Sequence, residues 1–340
     1  MIPMRFLSWA RSRFRMKLKT LALLLCIVTC TTLFFSYALR EPSGYKYALR
    51  LVASTEAPCA CRRCLTEAED DPWFAERFNR SVHPLMARDN SALSDETLKW
   101  WQSLQLEKRP ANFSEVVEEL FQLIPDDVLY ADAGPNRCRT CSVVGNSGNL
   151  KGSQYGRLID ASHFIIRMNQ APTTGFEEDV GARTTHHFMY PESARDLDNA
   201  TSLVLVPFKT LDLQWIISAL TTGTIKNTYI PVKSRIKANK DKVLIYNPAF
   251  FKYIDESWLR GGHGRYPSTG FLGLLFALHI CDQVNVFGFG ADQHGDWHHY
   301  WEKNLEAGAF RDTGVHDGDF EYNVTRLLAD KHKIRMFEGR

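Results

Sequence analysis

The sequence has almost no net charge: 41 Lys and Arg stand against 39 Asp and Glu in 340 residues, leaving +2. It has no internal repeat and no low-complexity tract, and its 21 Gly and 14 Pro are too few for a collagenous chain. With 44% hydrophobic and 24% charged residues it is not a disordered polyelectrolyte either. The charge is unevenly placed. Arg5, Arg11, Arg13, Arg15, Lys17 and Lys19 fall in the first 19 residues without an acid, and setting them aside leaves 35 basic and 39 acidic side chains. That remainder offers no basic surface for a polyanion, so nucleic acid is not the expected partner.

Charge is also missing between Lys19 and Arg40. The 20 residues TLALLLCIVTCTTLFFSYAL, as a helix rising about 1.5 Å per residue, would reach roughly 30 Å, enough to span a bilayer once. Six positive charges on the N-terminal flank hold that flank in the cytoplasm. The sequence therefore predicts a single-pass type II membrane protein: a cytoplasmic tail at 1–19, a transmembrane signal anchor at 20–39, a stem at 40–58 without sustained hydrophobic period, and a luminal domain at 59–340. A cleaved signal peptide is the rival reading, since Ser36-Tyr37-Ala38 resembles a small-residue cleavage site, but 20 uncharged residues are long for its apolar region.

Cysteine is scarce, eight residues in all. Cys26 and Cys30 sit in the apolar span as small hydrophobes. Cys59, Cys61, Cys64, Cys138, Cys141 and Cys281 form an even set that suits three disulfides in an oxidising lumen, with the connectivity open. Zinc is the alternative, because Cys61-x-x-Cys64 and Cys138-x-x-Cys141 have ligand-like spacing. Sequons at Asn79, Asn112, Asn199 and Asn323 fit a glycosylated luminal domain.

Beyond the stem, Trp100, Trp101 and Leu104 predict one helix. Ser114 reads as the cap of a second, with Val116, Val117, Leu120, Phe121 and Ile124 on one face and Pro125 as its stop. After Cys141 the pattern turns to short β-branched runs: 142–144, 163–167, 203–206, 243–246 and 284–289. These alternate with helical stretches at 213–220 and 271–280. Such alternation predicts an α/β domain with a mainly parallel sheet covered by helices, its ligands at the carboxyl ends of the strands.

The chemistry-bearing residues fall near those ends. Gly145-Asn146-Ser147-Gly148-Asn149 follows the first strand; it is not G-x-G-x-x-G, but it reads as either a plain turn or a nucleotide or sugar loop. Arg167-Met168-Asn169 ends the second strand with another amide. Ser268 and Thr269 precede a helix apolar all round, serving as cap, anion contact or both. His294, Asp296, His298 and His299 crowd together before Tyr300-Trp301-Glu302, and His316-Asp317-Gly318-Asp319 follows. Two readings stand: a metal site through Asp317-x-Asp319, a pattern that Asp196-x-Asp198 shares, or acid/base work by His299 and His316, whose usual pKa near 6.5 suits proton transfer.

Four blocks in fixed order resemble the animal sialyltransferases. They are Cys141-Ser142-Val143-Val144-Gly145-Asn146-Ser147-Gly148-Asn149-Leu150 through Asn169 to Thr184, Arg265-Tyr266-Pro267-Ser268-Thr269-Gly270 through Cys281 to Gly290, His299-Tyr300-Trp301-Glu302, and His316-Asp317-x-Asp319-Phe320-Glu321. Cys59-x-Cys61-x-x-Cys64, Trp100-Trp101 and Tyr190-Pro191-Glu192-Ser193 resemble the branch that sialylates galactose β1,3-linked to N-acetylgalactosamine.

This resemblance implies a Rossmann-like variant of the GT-A fold and an inverting transfer of sialic acid from CMP-sialic acid. The acceptor would be the 3-hydroxyl of terminal galactose on O-glycans and glycolipids. No metal or other cofactor is implied. It also implies a Cys141–Cys281 disulfide, with Cys59–Cys64 and Cys61–Cys138 as the favoured remaining pairs, and residence in the Golgi membrane, with a secreted form after stem cleavage and a homo-oligomer both left open. Carried over by position, His316 is the general base and His299 stabilises the departing phosphate. Asn146, Asn169, Ser268, Thr269, Gly270 and Gly290 hold the nucleotide, Tyr190 and Tyr229 touch phosphate, and Gln105 and Tyr266 touch the acceptor galactose. The competing expectations are a manganese-dependent transferase using Asp317 and Asp319 and a catalytically silent Golgi sugar-binding protein.

Overall fold

The computed structural model describes residues 24–33, 36, 57–66, 71–127, 130–303 and 314–340. The chain divides into two units, Met1–Ala57 and Pro58–Arg340. In the first, residues 24–33 are helical and exposed, and the hydroxyls of Thr29, Thr31 and Thr32 donate to carbonyls one turn back, which satisfies them without water. No helix among the described residues is long and apolar enough to cross a membrane. The other residues of the expected anchor, the tail and nearly all of the stem lie outside the described residues.

The second unit is built on one seven-stranded sheet: β1 Thr140–Val144, β2 Phe164–Met168, β3 His186–Met189, β4 Ser202–Leu205, β5 Val243–Ile245, β6 Gln283–Phe287 and β7 Arg335–Phe337. Its order is β5-β4-β3-β2-β1-β6-β7, and every neighbouring pair is parallel. The helices are α1 Pro72–Arg77, α2 Asp95–Ser103, α3 Phe113–Leu120, α4 Gly156–Asp160, α5 Glu177–Val180, α6 Thr210–Leu220, α7 Pro248–Trp258, α8 Thr269–Ile280 and α9 Gly318–Asp330. The chain runs outward from β1 through β2 to β5, then returns to lay β6 on the other side of β1. That reversal makes the carboxyl ends of β1 and β6 a topological switch point, where diverging loops leave a crevice.

Helix α8 explains its own position. Phe271, Leu272, Leu274, Leu275, Phe276, Ala277, Leu278 and Ile280 point around its full circumference and are all buried, so the helix can only be stable inside the molecule. It packs across β1, β2, β3 and β6, and its N-terminus comes out at the switch point.

Two strands escape the sequence reading. In β3 the run His186-His187-Phe188-Met189 is masked by two imidazoles, yet both rings are buried and partnered: His186 with Tyr130 Oη and Thr185 Oγ1, His187 with the Asn169 carbonyl. Strand β7 is a three-residue edge with an exposed arginine, too short to show a period. The expected cap of α3 is also displaced: Asn112, not Ser114, caps it, its Oδ1 accepting from the Ser114 N–H at 3.1 Å. Helix α6 begins at Thr210 rather than near Leu213.

Three disulfides join Cys59–Cys64, Cys61–Cys138 and Cys141–Cys281. With all six cysteines engaged, no thiolate is left for zinc, and that alternative is excluded. The third bridge ties β1 to the C-cap of α8. The four sequon asparagines, Asn79, Asn112, Asn199 and Asn323, are all exposed.

Candidate active site

The loops after β1 and β6 approach each other as closely as two chains can. The Gly145 N–H donates to the Phe287 carbonyl at 2.7 Å and the Ser147 N–H to Gly288 at 3.1 Å. A Cβ on Gly145 would lie 2.2 Å from the Gly288 carbonyl oxygen, a contact no side chain survives, so glycine here is a steric requirement. A third strand of contacts joins them: residues 298–300 run antiparallel to 146–148, with Gly148 N–H on the His298 carbonyl and Tyr300 N–H on that of Asn146.

Between these loops and the N-termini of α8 and α9 is a cavity of about 380 Å³. All twelve residues expected for donor, acceptor and catalysis line it: Gln105, Asn146, Asn169, Tyr190, Tyr229, Tyr266, Ser268, Thr269, Gly270, Gly290, His299 and His316. Of the crowded histidines, His298 also lines it, whereas His294 lies outside on an exposed turn.

The amides are aimed by their own backbones. Asn146 Nδ2 donates to the Met168 carbonyl at 3.2 Å, which turns its Oδ1 the other way, since a carbonyl accepts only. Asn169 adopts φ +59°, a left-handed conformation that asparagine tolerates better than most residues. The Oδ1 atoms of Asn146 and Asn169 are buried without a hydrogen-bond partner among the described residues. A buried acceptor left so costs about 1–3 kcal/mol, which a ligand N–H or O–H would recover.

Two helix N-termini face the same space. Ser268 caps α8, its Oγ accepting from the Phe271 N–H at 3.2 Å. Asp317 caps α9 through Oδ1 on Phe320 N–H at 3.1 Å, while its Oδ2 accepts from His263 N–H at 3.0 Å. The partial positive ends of both dipoles favour an anion between them. Asp317 is thus a structural cap. Asp196 is likewise engaged, by Lys233 and the Lys237 N–H. Among the described residues no three His, Cys, Asp or Glu side chains are grouped to hold a metal ion.

His316 is half-buried beside Tyr266. Its Nδ1 lies 2.8 Å from the Tyr266 carbonyl; only an N–H can face that oxygen, so in the neutral ring Nε2 carries the lone pair. Burial pushes its pKa below the usual 6.5, with the carbonyl bond opposing. That direction favours the neutral ring, the form that can accept a proton. His299 places Nδ1 2.9 Å from Glu302 Oε1 and stacks on Trp301 with ring centroids 4.4 Å apart, which orients the ring. Burial lifts the Tyr190 hydroxyl to about 12, so it is a neutral O–H donor.

Three further residues, to which the motifs assign no role, complete the site. Glu321, in the first turn of α9, is 6% exposed; its carboxylate accepts the Ser268 N–H at 2.7 Å and the Ser268 hydroxyl, clamping the α8 cap to α9. Phe208 and Phe289 supply apolar walls. Glu321 stands in the fourth motif, but its partner is 53 residues away and no spacing rule connects them.

Residues 85–333 match glycosyltransferase family 29 (sialyltransferase). The chain is 51% identical to CMP-N-acetylneuraminate-beta-galactosamide-alpha-2,3-sialyltransferase 1 of Sus scrofa over 97% of this chain and 100% of that protein. It is 57% identical to sialyltransferase 2 of the same description from Mus musculus, over 83% and 80%. A crystal structure of a mammalian sialyltransferase superimposes with TM-score 0.78 at 56% identity, covering 84% of this chain and all of that one. A second, in complex with Gal-beta-1-3GalNAc-ortho-nitrophenol, gives 0.77 at 55%, covering 83% of this chain and all of that one. With the family match running across most of the chain and around the whole cavity, the protein belongs to glycosyltransferase family 29, the sialyltransferases.

Proposed function

We propose that the protein transfers sialic acid from CMP-sialic acid to the 3-hydroxyl of terminal galactose in Galβ1,3GalNAc, on O-glycans of glycoproteins and on glycolipids, with inversion. The observation that carries this reading is that His316, its Nδ1 tied to the Tyr266 carbonyl, lines a cavity that also holds two helix N-termini and two unpartnered amide acceptors. The relatives' alpha-2,3 and beta-galactosamide descriptions support the linkage and the acceptor class, and the solved complex with a Galβ1,3GalNAc compound supports the disaccharide.

In this mechanism His316 Nε2 takes the proton from the galactose 3-hydroxyl as its oxygen attacks the anomeric carbon of sialic acid. The bond from that carbon to the CMP phosphate breaks on the opposite face, so the configuration inverts. Charge gathers on the departing phosphate, where the helix N-termini, Tyr190, Tyr229 and His299 lower its energy; preorganised donors of this kind are worth several kcal/mol. CMP is already a good leaving group, so the carboxyl group with which a glycosidase protonates its leaving group is dispensable. Asn146, Asn169, Ser268, Thr269, Gly270 and Gly290 hold the nucleotide, and Gln105 and Tyr266 the acceptor. We read the fold as the Rossmann-like GT-A variant, and the protein as a type II Golgi membrane enzyme needing no metal.

The test uses the full chain purified in detergent, with CMP-sialic acid and Galβ1,3GalNAc in EDTA, the product linkage being read by NMR. An α2,3 product is expected. Activity only after manganese is added would transfer the reading to a metal-dependent enzyme, and no turnover in either condition would leave a silent binding protein.

A further inference from the structure

Beside the cavity, behind Gln105, lies a lysine that the mechanism above does not use. Lys209 is 4% exposed, and such a charge is retained only where partners compensate its desolvation. Its Nζ lies 2.9 Å from Asp212 Oδ1, 3.7 Å from Glu192 Oε1 and 5.2 Å from the centre of the Tyr229 ring. The remaining direction is taken by Gln105, whose Oε1 accepts from Nζ at 2.5 Å.

That last bond settles which way the amide faces. The two ends of a glutamine amide are nearly alike in shape, but an ammonium group only donates, so the oxygen must be the end turned to Lys209. Gln105 Nε2 is then left with two N–H donors, and among the described residues it has no acceptor. The surrounding segment is tied to α6 as well: the Glu107 carboxylate accepts from Thr210 N–H at 2.9 Å and Leu211 N–H at 3.1 Å, and Trp101 Nε1 donates to the Pro207 carbonyl at 2.7 Å.

We propose that Lys209 is a positioning residue for acceptor recognition, fixing the Gln105 amide so that its N–H groups, not its oxygen, face one hydroxyl oxygen of the acceptor sugar. This deepens the proposed function and rests on its placing of Gln105 at the acceptor. Selectivity follows, because a site built to donate to a sugar oxygen discriminates against an analogue lacking that oxygen far more strongly than an apolar wall would.

The experiment compares Galβ1,3GalNAc with the analogues deoxygenated in turn at each galactose hydroxyl other than the 3-position, using full-chain wild type, Gln105→Glu, Lys209→Met and Lys209→Met/Asp212→Leu. The double variant removes the 2.9 Å pair together, so that Asp212 is not stranded, while Glu192, 3.7 Å from Nζ, keeps the Thr228 hydroxyl as its partner. Hydrolysis of CMP-sialic acid in the absence of acceptor reports the donor site in every sample. One deoxy analogue is expected to be at least tenfold poorer than the parent with wild type. That preference should shrink to less than threefold with Gln105→Glu and with whichever lysine variant retains donor hydrolysis, through acceptor KM rather than kcat. If the preference persists undiminished in Gln105→Glu, or in both lysine variants, the positioning role is wrong although the enzyme still transfers. Absence of transfer by wild type would instead overturn the functional reading on which it rests.

Discussion

Glu321→Gln offers a quantitative check on how the α8 and α9 N-termini are joined. The Glu321 carboxyl is buried against Ser268, and burial lifts its pKa to about 7 while the two Ser268 bonds pull the other way. An unfolded chain holds the same group near 4.5. Between these values the folded protein keeps a proton that the unfolded chain has released. The stabilising contribution is therefore complete below pH 4.5 and is lost as pH rises through about 7. A difference of roughly 2.5 pKa units at 1.36 kcal/mol each gives about 3 kcal/mol across that window. Glutamine keeps the shape and cannot titrate. The stability of wild type relative to Glu321→Gln should therefore fall by about 3 kcal/mol between pH 4.5 and 7.5, or by about 6 °C in Tm at roughly 2 °C per kcal/mol for a domain of this size. Thermal melts of both proteins across that range read it directly. Melting curves that stay parallel within about 1 °C would show that Glu321 does not carry the proton, and the Ser268 clamp would then be held by an ionised carboxylate.

Three further outcomes are expected. His316→Ala should lower transfer by about 10²–10⁴-fold, the usual contribution of a general base, while CMP binding by calorimetry stays within threefold; because burial holds the His316 pKa below 6.5, the acid limb of wild-type kcat/KM should also lie below pH 6.5. Gly145→Ala should abolish CMP binding, since its methyl would meet the Gly288 carbonyl at 2.2 Å and neither backbone has room to yield; retained affinity would disprove the close approach. Cys281→Ser opens a link of sequence separation 140 and should cost about 2–5 kcal/mol, seen as a lower denaturation midpoint rather than as a selective loss of kcat.

The parts of the fold that could be read in advance are those with a local cause. Strands β1, β2, β4, β5 and β6 announce themselves as short β-branched runs, and α8 as an apolar stretch after a Ser-Thr cap. What was hidden depends on partners elsewhere in the chain. His186 and His187 look polar until Tyr130, Thr185 and the Asn169 carbonyl are brought to their rings. Helix α9 begins in what reads as a cluster of charged and histidine residues, and its Asp317 cap also holds the His263 N–H, 54 residues away. The site was legible in its motifs because a parallel sheet sends the segment after each strand to one edge. Lys209 and Glu321 were not, because a buried charge declares its use only through the groups that surround it.

The pairing of β1 with β6 bears on how the protein is made. Strands β1 to β5 can add to one another in the order in which they leave the ribosome, each beside its predecessor. Strand β6 must instead close against a strand formed long before, with Val144 opposite Phe287. Loop closure over such a distance is slow, and contacts of high sequence separation delay folding. Until it happens, one edge of β1 stays unpaired and Cys141 lacks its partner while Cys59, Cys61, Cys64 and Cys138 are already synthesised. The nascent chain thus passes through an interval in which aggregation and mispaired disulfides compete with the native bridge, and a chain ending before Phe287 would lack Gly288, Gly290, His299 and His316 from the wall of the cavity. Closure of β6 on β1, more than the stability of the finished sheet, is then the step on which a complete cavity depends.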